Sequence, residues 1–231
     1  MPTYRKGKLM SHKDNGGTGN AESSSREPYD ASPLSGESAW KVAVAAEGAQ
    51  QFAAMIESLR ALQDRVAGSN PPASEIVEVT KRIDELERLL SAYQVPHAES
   101  VAGHLEVPGR GQSLAPAFVV DHGDADQVSG HVTFSRFYLG GGGAVHGGAI
   151  PLVFDEVLGR LANAAGRPRS RTAYLHVNYR AITPLDRELT LTARFDREEG
   201  RKRFLTAELR DGDAVLADAE GLFVALRPGQ P

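Results

Sequence analysis

Residues 146–166 have the sequence HGGAIPLVFDEVLGRLANAAG, and this stretch decides the fold. Pro151 stands in its first turn and Gly166 follows its last apolar residue, which is typical of a helix between those points. The apolar residues fall on one side of such a helix: Ile150, Val153, Phe154, Val157, Leu158, Leu161 and Ala165. The pattern predicts one long helix from Gly148 to Ala165, with a side that the rest of the domain must cover.

Short segments of alternating apolar and polar residues lie on both sides of this helix. Two precede it and four follow it: residues 118–121, 128–135, 172–182, 189–196, 203–210 and 215–226. The four later segments are separated by short turns, from which we expect antiparallel neighbours in sequence order. An antiparallel sheet that curls around the helix buries its apolar side best, so we expect an α+β fold.

The remaining chain divides into regions of different composition. Residues 1–36 hold almost no large apolar side chains, which predicts a disordered tail. Residues 37–96 carry two apolar series at helical spacing around Asn70-Pro71-Pro72, which predict a helical hairpin packed against the sheet. The series are Phe52, Met55, Ile56, Leu59, Val66 and then Ile76, Val79, Ile83, Leu86, Leu90, Tyr93. The domain of the long helix is expected to occupy residues 103–228.

Composition excludes several classes of protein. The formal net charge of −4 gives no overall attraction to nucleic acid. The absence of cysteine excludes disulfides and a thiolate nucleophile and fits a reducing compartment, so we expect a cytoplasmic location. No stretch approaches the ~20 apolar residues that span a bilayer. The four histidines at 104, 122, 131 and 176 have no ligand spacing, so no metal is expected.

His146-Gly147-Gly148 lies where a glycine-rich loop enters the predicted helix. The first N–H groups of a helix have no partner within it, and the helix dipole there favours negative charge. Glycine lets a ligand approach the backbone closely. The motif therefore indicates an anion or oxyanion site, although a plain tight turn has the same pattern.

Asp155 follows His146 by nine residues and lies at the edge of the predicted apolar side, whereas Glu156 and Arg160 are expected on the polar side. A carboxylate held against apolar surface is suited to general-base or nucleophilic work. A partly solvated helix aspartate is the other interpretation. Thr172 opens the next strand, where its hydroxyl can position a water molecule or a carboxylate.

Other glycine and serine motifs fail on their required residues. Gly148 and Ala149 stand where a phosphate loop needs Lys and Ser or Thr. Residues 111–115, GQSLA, lack the second glycine of a nucleophile elbow, and the polyglycine run does not give Gly-x-Gly-x-x-Gly. Serine hydrolase and dinucleotide-binding functions are therefore not supported.

Residues 109–226 resemble the PaaI-type acyl-CoA thioesterases of the hotdog fold, within the thioesterase superfamily. The resemblance rests on His146-Gly147-Gly148 with Asp155, Arg171-Thr172-Ala173-Tyr174-Leu175, Asn178-Tyr179-Arg180 and Glu199-Gly200-Arg201-Lys202. It implies a hotdog fold and hydrolysis of acyl-CoA to free carboxylic acid and CoA without metal or covalent cofactor. It also implies a homodimer or a dimer of dimers, that is a homotetramer, with the site between subunits.

The same resemblance implies roles for individual residues. Asp155 would be the base or nucleophile, Gly147 would donate its N–H to the thioester oxygen, and Thr172 would hold the attacking water or Asp155. His146 would shape the loop, Gly148 would contact the substrate, and Glu156 would share the carboxylate role. The phosphates of CoA require local positive charge, which the sequence offers at Arg167, Arg169, Arg171 and the turn Arg201-Lys202-Arg203.

Three other functions remain open for this sequence. A non-catalytic acyl-CoA-binding hotdog protein would use the same pocket without turnover. A hotdog dehydratase is the weakest, because its usual Asp with Asn-Pro and a histidine five residues later is missing. An interaction protein would use the helical hairpin and keep the rest as a dimerisation core.

Overall fold

The computed structural model describes residues 48–96 and 99–230, so the expected tail and the first part of the expected hairpin lie outside the described residues. Two helices come first, and a third lies between the second and third strands. The elements are α1 Ala49–Ala67, α2 Ala73–Ser91, β1 Phe118–Gly123, β2 Gln127–Thr133, α3 Ala149–Ala162, β3 Ser170–Tyr179, β4 Glu188–Glu199, β5 Lys202–Asp211 and β6 Ala214–Ala225. This order confirms the predicted α+β fold.

The six strands form one antiparallel sheet in the order β1-β2-β4-β5-β6-β3. The expectation that β3 and β4 are neighbours is wrong, because β3 pairs with β6 at the far edge. Backbone hydrogen bonds hold the segment between β3 and β4 against the segment between β2 and α3: Val145 N donates to Thr183 O at 3.0 Å, and Asp186 N donates to Phe134 O at 2.9 Å. The connection therefore crosses the fold, and β3 is an edge strand.

The core lies between α3 and one face of the sheet, called the inner face below. The opposite face is the outer face. α3 packs against β3, β4, β5 and β6, and its side chains Val153, Phe154, Val157, Leu158 and Leu161 are fully buried. Alternate residues of β5 and β6 complete this core from the sheet. The prediction that the sheet encloses the long helix is confirmed.

α3 ends at Ala162, three residues before the predicted end. Ala165 is exposed and has a positive φ of 56°, so it does not extend the apolar side of the helix. Asn163 ends the helix: its Nδ2 donates to Gly159 O at 2.7 Å, and its Oδ1 accepts Ser170 N at 2.8 Å. Arg203 Nη1 donates to Ala162 O at 2.8 Å. The side chains of Asn163 and of the distant Arg203 thus satisfy carbonyls of the last turn.

The two N-terminal helices do not pack on the faces of the sheet, so that expectation is wrong. α1 packs against the turns Pro108–Gly111 and Arg136–Tyr138. Its Arg60 guanidinium donates to Ala115 O at 3.1 Å, and its Asp64 carboxylate accepts Phe137 N at 2.8 Å. α2 buries none of its residues. Across the described ranges, no helix combines the length and apolar character that a membrane span requires.

Candidate active site

A tight turn at His146–Ala149 leads into α3. Ala149 N donates to His146 O at 2.8 Å, and Gly148 N donates to His146 Nδ1 at 3.0 Å. Tyr179, on the inner face of β3, donates its hydroxyl to Gly147 O at 2.7 Å. The Gly147–Gly148 peptide is therefore held on both sides, with its carbonyl on Tyr179 and its N–H on His146.

The Gly147 N–H differs from its two neighbours in the turn. Gly148 and Ala149 donate to His146, whereas Gly147 N makes no hydrogen bond with any part of the chain that the structure describes. The turn is exposed at residues 146–148. One backbone donor at the N-terminus of α3 is thus available to an oxygen atom of a ligand.

The glycine loop before the turn is needed for the path of the chain. A Cβ on Gly140 would lie 2.8 Å from His146 Cα, so a side chain there would displace the turn. Gly142 and Gly143 have φ values of 66° and 82°, which glycine adopts without strain. In contrast, a Cβ on Gly147 would meet only Tyr179 at 3.7 Å, which is ordinary contact. A small substitution at Gly147 therefore leaves the loop intact.

Asp155 and Thr172 meet between α3 and the edge strand β3. Thr172 Oγ1 donates to Asp155 Oδ1 at 2.8 Å. Thr172 shares the inner face with Phe223, its cross-strand partner on β6, so its hydroxyl points toward α3. The structure therefore brings together two residues that the sequence separates by a helical end and a loop.

The carboxylate of Asp155 is exposed within the single chain. The described part of the chain does not supply apolar surroundings for this carboxylate, because β3 lies at the sheet edge and no further described strand covers that side, so the partly solvated interpretation fits the single chain. Such surroundings have to come from a ligand or from another chain.

Glu156 and Arg160 lie on a different side of α3 from Asp155. The sequence placed them on the polar side, but the turn Pro108–Gly111 covers them: the Glu156 side chain is 23% exposed and its Oε1 lies 3.8 Å from Arg110 Nη1. Burial lowers the pKa of Arg160, and the Glu156 carboxylate opposes this shift. The position of a residue around a helix does not show whether a loop distant in sequence, such as this turn, covers it. Glu156 is thus placed away from Thr172 and in a charged cluster of its own.

The predicted basic patch is divided by the structure. Arg203 is buried, donating to Pro168 O at 2.7 Å and Glu198 Oε1 at 3.1 Å, so its assignment to a surface patch is wrong. Arg167 donates to Ala125 O and Asp126 Oδ1, both at 2.6 Å. These two guanidiniums hold the fold together. Arg203 is buried because strand alternation puts it on the inner face, opposite Phe223.

Arg171 and Lys202 remain exposed and lie in one row. Both pair with Val224 of β6, from opposite sides, on the outer face. Arg201 lies beside them, exposed, with Nη1 donating to Ala225 O at 2.8 Å. Residues far apart in sequence thus form a short basic row at one end of the sheet, on the face opposite Asp155.

Sequence reasoning gave no role to Tyr179, although it quoted the segment that contains this residue. Strict alternation from Thr172 predicts the opposite face for Tyr179, seven residues on, and only the β-bulge between Thr172 and Tyr174 brings both side chains to the inner face. Only the crossover that makes β3 an edge beside α3 shows that its hydroxyl reaches Gly147.

Comparisons with known proteins show which family this fold resembles. The family model described as "Thioesterase superfamily" matches residues 142–217. A crystal structure of a thioesterase superfamily protein has a TM-score of 0.65 and 30% identity, and the match covers 75% of this chain and 94% of that one.

Curated relatives match over a shorter region. Acyl-coenzyme A thioesterase THEM4 of Bos taurus is 35% identical over 88 residues, which are 37% of this chain and 35% of that protein. The protein of the same name from Mus musculus is 32% identical over 91 residues, which are 38% of this chain and 39% of that protein. The chain thus spans well under half the length of these relatives.

Proposed function

Because this chain belongs to the thioesterase superfamily, with its hotdog fold, we propose that it hydrolyses acyl-CoA thioesters to free carboxylic acid and CoA. The hydrogen bond of 2.8 Å from Thr172 to Asp155 carries this proposal, because it holds a carboxylate at an open position beside the helix. The available Gly147 N–H supplies the second requirement, a donor for the thioester oxygen. The relatives named acyl-coenzyme A thioesterase support the substrate class.

The chemistry needs one carboxylate and one oxyanion donor. Asp155 either removes a proton from water as the water oxygen attacks the carbonyl carbon, or attacks that carbon itself to give an anhydride that water then opens. The negative charge that develops on the carbonyl oxygen is stabilised by the Gly147 N–H, and the C–S bond then breaks to release CoA. Thr172 keeps the carboxylate oriented. Loss of one oxyanion donor commonly costs about 100-fold in turnover.

Helix geometry indicates that one chain does not complete this site. Asp155 lies six positions after Ala149, the first residue of α3, and Gly147 lies two positions before it, so at a rise of ~1.5 Å per residue the two are roughly 9 to 12 Å apart along the helix axis. A thioester carbonyl has to lie about 3 Å from the donor and within reach of the carboxylate through at most one water. We therefore infer that Gly147 of one copy and Asp155 of another act on the same substrate.

The edge strand β3 provides the surface for such a homodimer. β3 pairs with β6 along one edge, and no strand of the described chain pairs with its other edge. Unpaired strand edges readily add a second strand. Two copies joined at β3 around a twofold axis place their α3 helices antiparallel, which brings each helix N-terminus toward the partner's Asp155. A dimer of dimers would preserve the same pair.

His146 and Tyr179 act as positioning residues in this proposal. Because His146 Nδ1 accepts the Gly148 N–H and Tyr179 fixes the Gly147 carbonyl, the turn is constrained while the Gly147 N–H stays available. A preorganised donor needs no rearrangement as charge develops. Neither side chain has to contact the reacting atoms for this purpose.

We assign the CoA phosphates to the basic row of Arg171, Arg201 and Lys202. Arg171 neighbours Thr172 on the edge strand, so a CoA chain that leaves the carboxylate can pass around this edge to the outer face. Guanidinium groups suit phosphate because they donate in a planar fork. The lack of cysteine favours the cytoplasm as the place where the protein works.

The test is release of free CoA from short, medium, long and aromatic acyl-CoA esters by the wild type, Asp155→Asn and Glu156→Gln. We expect hydrolysis by the wild type, a loss of ~100-fold or more in Asp155→Asn and near-normal turnover in Glu156→Gln. The reverse order would assign the carboxylate work to Glu156. If the proteins bind the esters without hydrolysing any, a non-catalytic acyl-CoA-binding function replaces this proposal.

A further inference from the structure

Helix α2 presents an apolar side that the described chain does not cover. None of its residues is buried, and no helix or strand of the described ranges packs extensively on it. Tyr93, just beyond the end of α2, is 72% exposed, and seven apolar side chains within the helix are between 41% and 60% exposed. These are Ile76, Val77, Val79, Ile83, Leu86, Leu89 and Leu90. An exposed apolar surface of this size points to an interaction site.

The spacing of this surface is that of a coiled coil. Six residues alternate at intervals of three and four: Ile76, Val79, Ile83, Leu86, Leu90 and Tyr93. They occupy successive a and d positions: Ile76, Ile83 and Leu90 at a, and Val79, Leu86 and Tyr93 at d. Two of the three a residues are β-branched, and the central d residue is leucine. β-branched residues at a with leucine at d favour two parallel strands.

The charges beside this seam complement a second copy in parallel orientation. Arg82 stands at a g position and Glu87 at the following e position. In a parallel two-stranded coiled coil, a g residue faces the e residue of the next heptad on the partner. Each copy would therefore pair its Arg82 with the partner's Glu87, twice by symmetry. Arg82 now bonds Glu78 of its own helix at 3.0 Å on an exposed surface, a bond of little energy.

We propose that α2 pairs with α2 of a second copy of this chain as a parallel two-stranded coiled coil. This interface is separate from the β3 edge and does not depend on the proposed catalysis. No helix or strand within residues 48–96 and 99–230 packs extensively on the seam. A helix of 19 residues is short for an isolated coiled coil, but association of the same chains elsewhere raises its effective concentration.

Disulfide cross-linking tests the pairing directly, because the chain has no cysteine and each introduced thiol is unique. Leu86→Cys places a thiol at a d position, and Lys81→Cys places one at an f position on the opposite side of the helix. Both sites are exposed, so neither change disturbs a core. We expect Leu86→Cys to cross-link at least roughly tenfold faster under mild oxidation, because disulfides need Cα atoms within ~7 Å. Equal rates, or no cross-link at either position, would overturn the proposal.

A charge exchange in the Leu86→Cys background tests the orientation. Arg82→Glu should slow cross-linking about threefold or more, because it places two glutamates against each other across the seam. Adding Glu87→Arg should restore the rate. Within one helix, residue 87 contacts neither residue 82 nor residue 78, so restoration requires pairing between copies. A double variant that stays as slow as Arg82→Glu would contradict the parallel coiled coil.

Discussion

Helices α2 and α3 both show apolar residues at helical spacing, yet their environments are opposite. Seven of the eight residues of α3 that are buried keep at most 2% of their surface, whereas the seam residues of α2 keep 41% to 72%. α3 is covered by four strands that follow it in sequence. No comparable element covers α2 in the described ranges. Periodicity therefore predicts that a helix has an apolar side, but what covers that side depends on the rest of the chain or on another molecule.

The core of α3 should give the largest effect on stability. Phe154 is fully buried, so Phe154→Ala is expected to lower the free energy of unfolding by ~3–5 kcal/mol. Val77→Ala on α2, at a position that is 56% exposed and outside the seam, should change it by less than ~0.5 kcal/mol. Denaturant unfolding of the two variants measures both. Similar losses of unfolding free energy in the two variants would show that Val77 is buried in solution, which would contradict the difference between α2 and α3.

The N-terminus of α3 should give the largest effect on activity. Gly147 is the second residue of the turn His146–Ala149, a position where proline is favoured. Proline has no N–H, so it removes the donor. Gly147→Pro is therefore expected to lower kcat about 100-fold without unfolding the protein. Gly147→Ala keeps the N–H and should lose far less. Steady-state CoA release measures both, and equal losses would mean that steric bulk is responsible.

The hydroxyl of Tyr179 should have a smaller effect. Tyr179→Phe removes the hydrogen bond to Gly147 O, a contribution of ~0.5–1.5 kcal/mol, so kcat should fall about three- to tenfold with little change in KM. Tyr174→Phe is the matched control, because that ring stacks on His176 on the outer face. A rise in KM with unchanged kcat for Tyr179→Phe would assign this residue to substrate binding instead.

The basic row should give the smallest change. Arg171→Glu is expected to raise KM for acyl-CoA about threefold at low salt, because one exposed charge contributes modestly and salt screens it. Arg187→Glu, whose arginine pairs with Asp211 at 2.8 Å, serves as control and should leave KM unaltered. An unchanged KM for Arg171→Glu would remove the phosphate role from this row.

Sequence patterns predicted the elements well and their neighbours less well. The strands and the long helix followed from local alternation and periodicity. The β3–β4 pairing was wrong, because hydrogen bonds at Val145 and Asp186 that carry no sequence signal hold the crossover. Arg203 and Glu156 were both predicted on the surface for a related reason. Arg203 lies on the inner face of its strand, and a turn distant in sequence covers Glu156.

The sequence predicted which residues form the candidate site, but it did not predict how they are arranged in space. Position and spacing singled out Asp155, the glycine pair and Thr172, and the resemblance gave them specific roles. The role of Tyr179 and the available N–H of Gly147 required the positions of β3 and the turn. The separation of roughly 9 to 12 Å between Gly147 and Asp155 follows from helical rise and the two residues before the helix, but its meaning depends on both residues being exposed.

The most direct test of a site shared between two copies is to mix two inactive variants, Asp155→Asn and Gly147→Pro, under conditions that exchange subunits. Each mixed dimer then contains one site with both native groups. Random pairing of equal amounts should restore roughly a quarter of wild-type CoA release, since half of the dimers are mixed and each has one intact site. If exchange is verified and the mixture is no more active than its separate components, Asp155 and Gly147 do not act across the dimer, and the proposed site is wrong.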